Sequence, residues 1–200
     1  MTPPIQTPRV VTRTRTTNET AITCRLDLDG SGQSTIDTGI GFLDHMLTAF
    51  AKHSSFDLEL TCKGDLVIDD HHTVEDCALL LGEAFDEALT DRRGITRFGS
   101  AYAPLDEALA RVVVDLSGRP WQEVNIDFRR ESLGGMATEN VVHVFQSLAM
   151  AGRLCLHVDV LRGENDHHKA EAAFKALALA MRQATQRNGS GEIPSTKGKL

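Results

Sequence analysis

No stretch of the 200-residue sequence is apolar over the roughly 20 residues needed to cross a bilayer, so no membrane partner is expected. The opening Met1-Thr2-Pro3-Pro4-Ile5 lacks the charged and apolar regions of a signal peptide, and the expectation is a cytoplasmic protein. Basic residues are in deficit, 21 Lys and Arg against 28 Asp and Glu, for a net charge of −7. That balance argues against nucleic acid as a partner, because a phosphate backbone demands a basic surface. Any phosphate bound here must be held by a local cluster. Cysteine is scarce: Cys24, Cys62, Cys77 and Cys155 show no Cys-x-x-Cys spacing and fall within or beside apolar stretches. They read as buried free thiols in a reducing compartment rather than as disulfides or thiolate metal ligands. What is present, 41% hydrophobic and 24% charged residues, suffices for one sizeable core or for two small halves packed as a unit.

One short motif occurs twice. Asp69-Asp70-His71-His72-Thr73-Val74-Glu75-Asp76 recurs as Asn165-Asp166-His167-His168-Lys169-Ala170-Glu171. Each copy follows a polar turn and opens an apolar run at helical spacing, Val74, Ala78, Leu81, Phe85 in one and Ala170, Phe174, Leu177, Met181 in the other. Both motifs therefore belong on the first turn of a helix. There the first His and the Glu, four apart, share a face, whereas the second His is turned away by about 100°. Such a His pair does not close readily on one ion, but it can face two.

The surrounding sequence is duplicated as well. Residues 10–17, rich in Thr and Val, and 20–28 read as a hairpin broken at Gly30-Ser31-Gly32; residues 39–53 switch to helical spacing and carry His45. A strand at 56–62, a short apolar piece at 66–68 and a helix over 73–89 follow, ending in a basic turn and Gly94. From Ile95 the order restarts: strands at 97–103 and 110–116, residues 121–128, a turn at Gly134-Gly135, a helix over 139–151 carrying His143, a strand at 154–160 and the second His pair. Glu19 stands to Gly30 as Glu107 stands to Gly118, and His45 precedes His71 nearly as His143 precedes His167. Repetition of this kind predicts two β-β-α-β-α halves, residues 9–94 and 95–187, each a mixed sheet with helices on one face, packed into one α+β unit. Residues 188–200 read as a polar tail.

His45, His71, His72, His143, His167 and His168 with Glu75 and Glu171 make eight candidate ligands, four for each of two ions. Imidazole and carboxylate without thiolate favour Mn, Fe or Zn over a structural zinc site, and open positions on six-coordinate ions would admit substrate. Because the motifs lie in separate repeats, sites shared between chains are expected, and with them a metal-dependent oligomer. Arg97 and Arg119 at strand ends, Lys197 in Ser195-Thr196-Lys197-Gly198 and Lys175 on the face of Glu171 are candidates for an anionic substrate, arginine because its planar fork suits phosphate. On these residues alone a dinuclear metal phosphoesterase and a non-catalytic metal-binding assembly both remain open.

Further motifs carry a resemblance. Gly39-Ile40-Gly41-Phe42-Leu43-Asp44-His45-Met46-Leu47, Asp70-His71-His72-Thr73-Val74-Glu75-Asp76, Arg97-Phe98-Gly99, Pro104-Leu105-Asp106-Glu107-Ala108-Leu109, Ser117-Gly118-Arg119-Pro120, the second His motif and Pro194-Ser195-Thr196-Lys197-Gly198 resemble the imidazoleglycerol-phosphate dehydratase family of histidine biosynthesis, in its monofunctional form. Leu105, Trp121 and Val144 depart from the usual residues without removing a ligand. The resemblance implies a ribosomal protein S5 domain 2-like fold, two Mn2+ per active site, and a homo-oligomer, a 24-mer of octahedral symmetry with active sites between subunits. It implies one ion on His45, His72, Glu75 and His168, and the other on His71, His143, His167 and Glu171. These ligands other than His143 would lie against the substrate, with Glu19, His53 and Lys175 beside it and Arg97, Arg119, Ser195, Thr196 and Lys197 around its phosphate, so that the tail completes the phosphate site. The implied reaction turns D-erythro-imidazole-glycerol phosphate into imidazole acetol phosphate and water. The C–H to be broken has no adjacent carbonyl, so an imidazolate held by the ions would expel the hydroxyl, giving a diazafulvene from which Glu19 or Glu171 removes the proton.

Overall fold

In the computed structural model of the chain, residues 8–200 are described; the signal-peptide reading at Met1 to Ile5 lies outside them. The first half runs β1 (Val10–Thr16), β2 (Thr20–Asp27), β3 (Ser34–Asp37), α1 (Gly41–Ser54), β4 (Asp57–Gly64) and α2 (His71–Leu89). The second runs β5 (Phe98–Leu105), β6 (Ala108–Asp115), β7 (Trp121–Asn125), a small hairpin of β8 (Ser132–Leu133) and β9 (Met136–Ala137), α3 (Thr138–Ala151), β10 (Cys155–Arg162) and α4 (Asp166–Thr185). The sheets have matching orders, β1-β2-β4-β3 and β5-β6-β10-β7, each with one parallel edge pair. The α+β class and the duplicated mixed sheets expected from the sequence are the ones the chain adopts. Each half carries one edge strand more than the β-β-α-β-α pattern, β3 and β7, and the second half adds the β8–β9 hairpin. β3 and β7 are short edge strands that bury no residue fully, so their apolar signal is faint.

Alternation along the central strands sets which face is covered. In β2, Ile22, Cys24 and Leu26 point inward and pair in register with residues flanking or opposite Leu58, Leu60 and Cys62 of β4. In β6 the inward set is Ala108, Ala110, Val112 and Val114. Helices α1 and α2 cover the first sheet and α3 and α4 the second. The two helix layers then meet, α1 against α4 and α2 against α3, so the order through the molecule is sheet, helices, helices, sheet. One continuous core runs through all four layers, with Phe50, Phe56 and Phe85 in one half and Phe145 against Phe174 at 4.8 Å in the other. The cysteines are unpaired, three of them buried and Cys155 half-buried.

Small residues permit the closest approaches. Helix α4 buries Ala172, Ala173, Ala176, Ala180 and Ala184, and a Cβ on Gly99 of β5 would stand 2.0 Å from the Ala180 carbonyl oxygen. Rigid backbone on both sides leaves no way to relieve that overlap. Gly99→Ala is expected to destabilise the chain by about 1–3 kcal/mol or more, and Gly41→Ala, where nothing lies within 4 Å, by no more than about 0.5 kcal/mol. Urea unfolding of the two variants is the measurement.

Candidate metal centre

The helix starts put the duplicated motifs in place. Asn165 caps α4 by accepting the His167 N–H at 2.9 Å, and Asp69 accepts the His71 N–H at 2.9 Å before α2. Asp70 also reaches across the halves, accepting the Ala137 N–H at 2.8 Å, which ties the start of α2 to the start of α3. With α1 packed on α4 and α2 on α3, each His-x-x-x-Glu face meets a histidine from the other half.

Two clusters result. In one, His45 of α1 and His167 of α4 direct Nε2 at the same Glu171 oxygen, at 3.2 and 3.1 Å. In the other, Glu75 of α2 lies 3.7 Å from His71 Nε2 and 3.4 Å from His143 Nε2 of α3, and the two rings stack at 5.0 Å. Within each cluster the three potential ligand atoms are within 4.8 Å of one another. The pseudo-twofold that relates the halves exchanges the clusters, His45 for His143, His167 for His71 and Glu171 for Glu75.

The division of ligands implied by the resemblance is cut differently within one chain. Glu75 sits with His71 and His143, not with His45, and Glu171 and His167 sit with His45, not with His143. Within one chain this grouping follows the helix, which sets a His and a Glu four apart on one face. His72 and His168 belong to neither cluster. His72 Nδ1 meets Asp65 at 3.0 Å, with Glu19 3.7 Å from Nε2. His168 Nδ1 meets Glu107 at 2.7 Å, with Asp106 3.8 Å from Nε2.

These contacts fit a divalent ion. Carboxylates only accept, so Asp65 and Glu107 favour the proton on Nδ1, which in the neutral tautomer puts the lone pair on Nε2. Asn140 Oδ1 at 3.1 Å does the same for His71, and Gln146 Oε1 at 3.4 Å for His143. Outer partners on one ring nitrogen are the usual support of a metal-binding imidazole. His143 Nε2 is buried with no hydrogen-bond partner among the described residues, as a ligand atom awaiting a cation would be. Glu171 is burdened by burial, which would raise its pKa, but Lys175 donating at 2.6 Å, together with His167 and His45, holds it down at about 2. Burial and the nearby Lys175 charge lower His53. Hydrogen bonds donated to Asp65 and Glu107 raise the pKa of His72 and His168.

The phosphate candidates gather elsewhere. Arg97, at a φ of 75°, forks onto Asp115 at 2.7 and 3.1 Å and donates to the Pro194 carbonyl at 2.7 Å, which brings the tail against β5 and β6. Ser195 accepts the Lys197 N–H through Oγ at 3.2 Å, and Thr196 and Lys197 are exposed beside it. Arg119 is exposed, with no side-chain hydrogen bond among the described residues. The Arg97 N–H bonds the Ala184 carbonyl, in the last turn of α4, whereas His167 and Glu171 occupy its first turns. At 1.5 Å per residue, those two ends are about 20 Å apart.

A family model described as imidazoleglycerol-phosphate dehydratase matches residues 38–181, which include all eight ligand candidates. The chain belongs to the imidazoleglycerol-phosphate dehydratase family. Its members are hydro-lyases of histidine biosynthesis, as the motifs implied. The chain is 58% identical over 197 residues to the imidazoleglycerol-phosphate dehydratase of Phaffia rhodozyma, covering 96% of each, and 53% identical over 201 residues to that of Salinibacter ruber, covering 100% of each. It is 61% identical over 186 residues to the Phytophthora nicotianae protein of the same name, covering 93% of this chain but only 41% of that longer one. The dehydratase structure from Staphylococcus aureus superposes with a TM-score of 0.81 at 38% identity, covering 89% of this chain and 99% of that one. The Pyrococcus furiosus dehydratase, solved with (S)-C348, gives 0.81 at 39% identity, covering 94% and 100%.

Asp65, Asn140, Gln146 and Glu107, the outer partners of the histidines, were not among the candidates read from sequence. Only Glu107 carried a signal, its place in the repeat opposite Glu19. Among the described residues, no helix is long and apolar enough to cross a membrane.

The low pKa of Glu171 has a thermodynamic consequence in metal-free protein. A carboxylate held at about 2, below an unfolded value of about 4.3, stabilises the folded chain above pH about 4.3, and this contribution disappears as the pH falls through about 2. The stability gap between wild type and Glu171→Gln is therefore expected to shrink on going from pH 6 to pH 2.5, measured by denaturant unfolding in chelator.

Proposed function

We propose that the protein dehydrates D-erythro-imidazole-glycerol phosphate to imidazole acetol phosphate in the histidine pathway of the cytoplasm, in sites that hold two Mn2+ and are shared between chains. Segments 9–94 and 95–187 act as the two halves of one unit, and 188–200 supplies part of the phosphate site. The observation that carries the reading is the pair of His-His-Glu clusters related by the duplication, in a chain of this family. Their donors are imidazole and carboxylate with no thiolate, which suits manganese.

In this reading His45, His167 and Glu171 hold one ion and His71, Glu75 and His143 the other. His72 and His168, which belong to neither cluster within the chain, complete the sets on neighbouring chains. The distance along α4 supports the sharing. A small phosphorylated imidazole does not span the about 20 Å from Glu171 to Arg97 in one chain, which supports a phosphate site and a metal site that meet between copies. A 24-mer of octahedral symmetry, the assembly implied by the motifs, would provide such meetings.

When bound, the ions supply positive charge that stabilises an anionic imidazole ring. The remaining work falls to side chains. Arg119, Ser195, Thr196 and Lys197 hold the phosphate, and Arg97, locked to Asp115, fixes the tail that carries three of them. Lys175 keeps Glu171 ionised as a ligand, and His53 lies close enough to feel the Lys175 charge. Glu19 accepts no hydrogen bond through its side chain among the described residues and lies 3.7 Å from His72 Nε2. It is the carboxylate left to take the proton whose removal follows loss of the hydroxyl.

Metal-loaded protein incubated with the substrate is expected to form the enolisable ketone with its phosphate ester intact, and to stop when chelator strips the ions. Release of inorganic phosphate would make the protein a phosphoesterase, and absence of turnover a metal-binding assembly. Glu19→Gln is expected to lose about 10²–10⁴-fold in kcat with Mn2+ affinity kept. An unchanged kcat removes Glu19 from the chemistry.

A further inference from the structure

The duplication sets Glu19 opposite Glu107, yet the two glutamates have different surroundings. Each ends a hairpin turn, Glu19 directly before β2 and Glu107 directly before β6. Each lies by the second histidine of its own half, but at opposite ring nitrogens. Glu19 lies 3.7 Å from His72 Nε2, whereas Glu107 Oε2 is 2.7 Å from His168 Nδ1.

The difference begins one residue past the matching strands. After β4 comes Asp65, whose carboxylate takes His72 Nδ1 at 3.0 Å. After β10 comes Gly163, with no side chain to do this for His168. Nor is there room for one, since a Cβ at Gly163 would meet Lys169 Cγ at 2.8 Å and Ala108 Cβ at 3.0 Å. The second half takes its carboxylate from the neighbouring hairpin instead. Glu107 Oε1 is pinned by the N–H groups of Glu164 and Asn165, at 3.0 and 2.8 Å, which leaves Oε2 aimed at the ring. Both rings thus have a carboxylate at Nδ1, supplied from different places, and of Asp65, Glu107 and Glu19 it is Glu19 whose side chain makes no hydrogen bond among the described residues.

We propose that Glu107 is a positioning residue that holds His168 as its Nδ1–H tautomer with Nε2 turned toward a metal, the task Asp65 performs for His72, and that this division leaves Glu19 free for substrate. The proposal rests on the reading of His72 and His168 as ligands. Glu107 touches neither substrate nor ion. It acts through the imidazole, and its loss should appear in metal binding before it appears in turnover.

The experiment titrates Mn2+ into the metal-stripped full-length protein, following free Mn2+ by electron paramagnetic resonance. Wild type is expected to take two ions per chain. Glu107→Gln should weaken one of them by about 10–100-fold and leave the other unchanged, the range seen when the outer partner of a ligand histidine is removed. Asp65→Asn should weaken the other ion, and Glu19→Gln neither. Glu107→Asp, one methylene shorter, should fall between wild type and Glu107→Gln, and it serves if Glu107→Gln does not fold. Unchanged affinity for both ions in folded Glu107→Gln would overturn the positioning role, as would an equal loss in Glu19→Gln. Unchanged affinity in His168→Ala would overturn the metal reading beneath it, which keeps the two failures apart.

Discussion

The structure depends on the meeting of two helix layers. A sheet with helices on one face buries only half of what each helix could bury, and each half of this chain finds the remainder on its twin. Gly82 of α2, where a Cβ would stand 2.8 Å from the Leu148 carbonyl oxygen of α3, lets those layers come close, and alanine-rich α4 settles on Gly99 of its own sheet. The same packing carries His45 to Glu171 and His143 to Glu75. Core formation and assembly of the ligand clusters are therefore one event. Neither half contains a cluster alone, because each cluster takes its lone histidine from one half and its His-x-x-x-Glu face from the other.

Around these clusters the acidic balance of the sequence has a local purpose. Carboxylates stand behind the imidazoles, Asp65 at His72 and Glu107 at His168, and amide oxygens stand behind His71 and His143. Each partner sits at Nδ1 and leaves Nε2 without a hydrogen bond to it, so ring orientation is settled by the protein itself. That preorganisation lowers the cost of binding, since the rings need not be searched and ordered at the moment of capture. Apart from Lys175, which pairs with Glu171, the candidate phosphate-binding residues lie elsewhere. Arg97 is spent on Asp115 and the tail, and Arg119 faces outward.

Much of this was legible in the sequence. The doubled His-His-x-x-Glu motif, its helical placement and the restart at Ile95 disclosed the duplication and hence the α+β halves, because period and spacing survive in a chain even where side chains differ. The edge strands β3 and β7 were not legible as strands, since Ser34–Asp37 and Trp121–Asn125 half-bury what they bury. The exchange of histidines between halves was also hidden, for it is set by which helix layers touch and not by any local pattern. Asp65 gave no sign of its task. Glu107 did, through its register with Glu19, but a repeat shows only that two residues share a position, and here Gly163 has made them differ in work.

The exchange has an evolutionary corollary. Folding the chain about its pseudo-twofold superimposes one cluster on the other, so a half-length ancestor would have possessed every ligand and yet no cluster of its own. Only as a homodimer, lending a histidine and receiving one back, could it have gathered three ligands around an ion. Fusion of two such genes would have made that loan permanent, and freed each copy of Glu19 and Glu107 to drift toward a separate trade.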